Sequence, residues 1–117
     1  MSTVTSQNYP RSNRIRFNEE YKELYSESIR VYGKYFCIFA KNGLGRIGIV
    51  VGKKVSKKAV DRNFVKRRVR YLFRTNKDLF SNMDTLLVAL PPSLSAEYKD
   101  ILEDVKKTIE KISHRLD

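Results

Sequence analysis

The spacing of apolar residues changes along the chain, and each change marks a different element. Residues 1–13, rich in Ser, Thr and Asn and containing Pro10, have no period and read as a flexible arm. Tyr21, Leu24 and Tyr25 fall at i, i+3 and i+4, one stripe of a short helix ending near Ser28. Asn18 is its expected N-cap, and Glu19, Glu20 and Glu23 suit the positive end of the helix dipole. Lys34 to Lys41, dense in Tyr, Phe and Ile, reads as a strand, and Arg46 to Gly52 as a second. The turn Asn42-Gly43-Leu44-Gly45 between them predicts a hairpin.

A loop from Lys53 to Lys58 then leads into a two-sided helix. Asn63, Lys66, Arg67, Arg70 and Arg74 share about 100° of arc, and Phe64, Val65, Val69 and Leu72 occupy the other flank. After a break near Ser81-Asn82, Asp84 to Leu90 is almost continuously apolar, as a central buried strand requires. Pro91-Pro92-Ser93 ends it, and Ser95 is the expected N-cap of a last helix. Tyr98, Ile101, Leu102, Val105, Ile109, Ile112 and Leu116 keep helical spacing along that helix. The order α-β-β-α-β-α predicts an α+β sandwich with helices on a small mixed sheet, and residues 14–117 form a single domain.

Charge sharpens this picture. The 117 residues carry a net +11, and the 18 residues from Lys53 to Arg70 hold nine cations against Asp61 alone, a local +8. So concentrated an excess, punctuated by apolar residues, is a folded face for a polyanion rather than a basic tail. The C-terminal helix, mixed in sign, stands outside that footprint.

Candidate chemistry is sparse. Cys37 is the sole cysteine, which excludes an intramolecular disulfide and a multi-cysteine zinc site, and its apolar run predicts a buried structural thiol. His114 is the sole histidine and lies near the end of the last helix. No nucleophile–base pair and no Walker-type glycine loop is present, and Asp84 has no second carboxylate close in sequence to share a metal. No signal peptide is visible and no apolar run approaches the roughly 20 residues a bilayer span needs, so a cytoplasmic protein without membrane contact is expected.

Arg46-Ile47-Gly48-Ile49-Val50-Val51-Gly52-Lys53-Lys54, followed by Lys58-Ala59-Val60-Asp61-Arg62-Asn63-Phe64-Val65-Lys66-Arg67-Arg68-Val69-Arg70, resembles the bacterial ribonuclease P protein family. The likeness extends over roughly residues 14–113. Two positions depart from the family pattern: Phe64 stands where Arg-Asn-Arg has its second arginine, and Gly52 where Ser precedes Lys-Lys.

The resemblance implies a small protein bound to a large catalytic RNA. The complex would hydrolyse one phosphodiester of precursor tRNA to remove the 5′ leader, with Mg²⁺ held mainly by RNA and substrate and no catalytic group in the protein. It also implies a left-handed βαβ crossover. By position, Arg62, Asn63, Lys66, Arg67 and Arg70 would form an RNA-binding face extended by Lys53, Lys54, Lys57 and Lys58. Tyr21, Tyr25 and Phe39 would line a leader-binding cleft, with Tyr35 and Cys37 on its floor. The alternative is a non-catalytic RNA-binding protein of ribosomal or assembly type, which the charge accommodates but the ordered loop-and-helix signature does not favour.

Overall fold

The computed structural model describes residues 27–116. The short first helix, its Tyr21 and Tyr25, and the arm over residues 1–13 therefore lie outside the described residues. Four strands, β1 (Ile29–Tyr32), β2 (Phe36–Asn42), β3 (Ile47–Val50) and β4 (Met83–Ala89), and two helices, α1 (Ala59–Thr75) and α2 (Tyr98–Leu116), form the domain. The strands lie in the order β1-β2-β4-β3; the first two pairings are antiparallel and β3 runs parallel to β4. The expected mixed sheet is present, with α1 forming the crossover between its two parallel strands.

The hairpin expected between β2 and β3 is not formed, because β4 lies between them. The connecting loop instead crosses the start of β4 and is tied to it. Gly43 N–H donates to the Asn82 carbonyl at 2.9 Å, and Leu44 and Arg46 N–H donate to the Asp84 carboxylate at 3.1 and 3.2 Å. A side chain at Gly43 would run into that carboxylate, and Gly45 takes a positive φ of 89°. The two glycines thus serve a crossing loop.

The true hairpin joins β1 to β2. Its turn is locked from outside by Asp104 of α2, which accepts Lys34 N–H at 2.9 Å and Tyr35 N–H at 3.1 Å.

Strand register sorts the side chains into two faces. Val31, Ile38, Leu87 and Ile49 form one cross-strand row, and Ile29, Ala40, Thr85 and Ile47 the next. Against this face pack Val65, Val69, Leu72 and Phe73 of α1 and Ile101, Val105, Ile109 and Ile112 of α2, the main core. Phe73 meets Phe80 of the 3-10 turn Lys77–Phe80 at a centroid distance of 5.4 Å, which closes the core below β4.

Helix α2 opens at Tyr98 rather than just after Ser95. The Glu97 carbonyl accepts its first bonds, while a 3-10 turn at Pro91–Ser93 uses the preceding residues. On the opposite face of the sheet, Cys37, Phe39 and Leu86 make a second, smaller cluster edged by Val50, Val88 and Leu90.

Candidate nucleic-acid interface

Ser56 and Asp61 shape the junction between loop and helix. Ser56 Oγ donates to Asp61 Oδ2 at 2.8 Å and accepts Lys58 N–H at 3.1 Å. Arg62 reaches back to the Ser56 carbonyl at 2.9 Å. The one acid of the basic segment is therefore a structural brace. The N-cap, Lys58, supplies no side-chain capping bond. Lysines at a helix N-terminus meet the positive end of the dipole, an unfavourable placement of about 0.3–1 kcal/mol each that a bound anion reverses.

The predicted basic residues lie on the loop before α1 and on α1 itself. Lys53, Lys54, Lys57, Lys58, Asn63 and Arg67 are exposed, and Arg62, Lys66 and Arg70 are half-buried. Arg46 pairs with Asp84, Lys99 with Glu97 and Lys107 with Glu103, all outside the 53–70 segment. Arg62 differs from the rest, because its guanidinium also holds the junction together. Phe64 was expected on the apolar flank, yet it is 41% exposed. The buried arc of α1 is centred on Val65, Val69, Leu72 and Phe73, which turns Phe64 outward.

Phe39 lies elsewhere, on the far face of the sheet. Register sets Arg30, Phe39, Leu86 and Gly48 in one row and Tyr32, Cys37, Val88 and Val50 in the next. Phe39 is buried here, 7% exposed, with Cys37 and Leu86, whereas Tyr32 is 64% exposed, with the Arg30 guanidinium 5.6 Å from its ring centroid. Tyr35, expected on the same floor, instead packs with the main core. Cys37 is buried there, and burial pushes its thiol up despite the Tyr32 hydrogen bond and the nearby Arg30 charge, consistent with a structural thiol. Sequence reading missed Arg30 and Tyr32; the alternation Ile29-Arg30-Val31-Tyr32 before Gly33 was the signal for that strand.

Among the described residues no group of three or more His, Cys, Asp or Glu side chains comes together to hold a metal. The two most engaged carboxylates, Asp84 and Asp104, are occupied by hydrogen bonds from within the fold. Among the described residues no helix is long and apolar enough to cross a membrane.

The fold is a small α+β domain, a four-stranded mixed sheet with two helices on one face and a cationic loop leading into the first of them. The family model for ribonuclease P matches residues 9–113, and the chain belongs to that family. It is 36% identical over 89 residues to the ribonuclease P protein component of Citrifermentans bemidjiense, covering 74% of this chain and 76% of the relative. It is 34% identical over 107 residues to that of Pseudanabaena sp., covering 87% and 92%. Among solved structures it is similar to the Staphylococcus aureus RNase P protein, with a TM-score of 0.75 and 25% identity over 85% of this chain and 94% of the other. The fold is also that of the Thermotoga maritima RNase P protein, with a TM-score of 0.76 at 24% identity over 85% and 96%.

Proposed function

We propose that this chain is the protein subunit of ribonuclease P, an endoribonuclease ribonucleoprotein. It binds the catalytic RNA through Lys53, Lys54, Lys57, Lys58, Arg62, Asn63, Lys66, Arg67 and Arg70, and the 5′ leader of precursor tRNA in a cleft that includes Tyr21, Tyr25 and Phe39. The observation that carries this reading is the excess of nine cations over one acid in the 53–70 loop and helix, within the region matched by the family. Its cations would neutralise RNA phosphates, while Asn63, which both donates and accepts, would meet a sugar or base edge. The leader would stack on rings of the far sheet face, a sequence-tolerant mode of holding single strands.

Mg²⁺ would be held by the RNA and the substrate, and the protein would lend positioning and charge. A cytoplasmic location follows from this role in tRNA processing. The test is reconstitution: the protein, a bacterial ribonuclease P RNA and labelled precursor tRNA at low Mg²⁺. Leader release that needs both components is the expected result. Salt-sensitive binding to many RNAs without stimulated cleavage would overturn the assignment in favour of a general RNA-binding protein.

A further inference from the structure

The outward stripe of α1 is apolar where a purely ionic face would be charged. Val60, Phe64 and Tyr71 are 66%, 41% and 49% exposed, and they follow one another at helical spacing on the solvent side. Both rings carry a guanidinium. Arg68 Cζ lies 5.1 Å from the Phe64 centroid and Arg74 Cζ lies 5.7 Å from the Tyr71 centroid. Tyr71 is further steadied edge-on by Tyr98 of α2 at 5.4 Å. The two ring–guanidinium units sit seven residues apart, about 10 Å along the helix axis.

We propose that Phe64 with Arg68, continued by Tyr71 with Arg74, is a stacking platform for unpaired bases of the ribonuclease P RNA. The inference rests on the reading of the basic segment given under Proposed function. A flat ring held against a guanidinium plane, and still open to solvent, matches a ligand that has both a π-face and a negative backbone. A second copy of this chain fits poorly, since it would bring its own net +11 against Arg67, Arg68 and Arg74. The leader fits poorly as well. The stripe points away from the sheet on the helix-covered side, whereas Phe39 and Cys37 lie on the opposite sheet face. Phe64 stands at a position where the family pattern has arginine. The ring thus offers a π-face where an arginine would offer a charge.

The chain contains no tryptophan, so Phe64→Trp introduces a single reporter on the platform. Binding of full-length protein to ribonuclease P RNA is measured for wild type and for the Phe64→Trp, Phe64→Leu and Phe64→Ala variants across a salt series, with circular dichroism as the folding check. Phe64→Ala and Phe64→Leu are expected to weaken binding about five- to one-hundred-fold with an unchanged salt slope. Phe64→Trp is expected to bind at least as tightly as wild type, with its emission quenched by RNA. Wild-type affinity in both the Leu and Ala variants, or unquenched and solvent-accessible Trp emission in the bound complex, would overturn the platform while leaving the subunit assignment standing. Wild-type protein that neither binds this RNA nor supports leader removal would overturn the underlying reading and the platform with it. Sedimentation showing a dimer that Phe64→Ala dissociates would assign the stripe to a second copy instead.

Discussion

Asp84→Ala tests how the fold hangs the basic loop from the sheet. Asp84 is 4% exposed and accepts Leu44 and Arg46 N–H at 3.1 and 3.2 Å, and Arg46 Nη2 at 2.9 Å. Those bonds hold the entry to β3, the strand that runs directly into Lys53. A hydrogen bond to a charged group contributes roughly 1.5–3 kcal/mol. Removing one partner of a fully buried ion pair costs about 3–5 kcal/mol. Arg46 is 26% exposed and regains water when freed, so the expected loss is lower, about 2–4 kcal/mol.

With a urea slope of about 2 kcal/mol per molar, the unfolding midpoint should fall by about 1–2 M. pH supplies a second arm. Burial alone would raise the Asp84 carboxyl, but the Arg46 side chain and the Arg46 and Leu44 amides outweigh it and hold the group below the usual aspartate range. The stabilisation is therefore complete above the unfolded value near about 3.9 and disappears as pH falls through the lower native value. The gap between wild type and Asp84→Asn should narrow in acid. A loss below about 0.5 kcal/mol for Asp84→Ala, or a wild-type–Asn gap independent of pH, refutes the anchor.

Arg67→Ala should lower the slope of log affinity for ribonuclease P RNA against log salt by about 0.7–0.9, and the Lys53→Ala/Lys54→Ala pair by nearly twice that; parallel salt plots would contradict phosphate contacts at these residues. Arg62→Ala should also lower the urea midpoint, since it releases the Ser56 carbonyl, and an unchanged midpoint would remove its bracing role. Phe39→Leu preserves an apolar side chain in the second cluster but loses the ring, so affinity should drop about five-fold or more for leader-bearing substrate and stay level for leaderless tRNA. Equal drops for both would detach Phe39 from the leader.

What the chain discloses locally it discloses well. The basic and apolar flanks of α1, the stripe of α2 and the unbroken run of β4 each record their burial in a window shorter than twenty residues, and the structure places all three elements. Pairing is a different kind of information. Asn42 to Arg46 looks like a hairpin turn from either side, and only Asp84, some forty residues on, takes the loop's N–H groups and lets β4 enter between the strands. Phe64 shows the same limit at the scale of one helix. Periodicity gives an apolar side, but the packing partners decide its centre, and Val65, Val69, Leu72 and Phe73 set that centre away from Phe64.

The placement of charge on α1 makes sense only with a partner. Lys57 and Lys58 crowd the positive end of the dipole, and Asp61, the one acid available to offset them, is held by Ser56 to shape the junction. Each lysine there destabilises the free domain slightly, and their mutual repulsion adds to it. A ligand that brings phosphates to this end reverses both terms, so binding energy and folding energy become one quantity, coupled through mass action. The same helix closes its C-terminal end conventionally, with Asn76 Nδ2 on the Leu72 carbonyl and Arg74 in the last turn. The asymmetry is local and specific: α1 is finished as a structural helix where it meets the core turn, and left electrostatically incomplete where the loop lysines meet solvent.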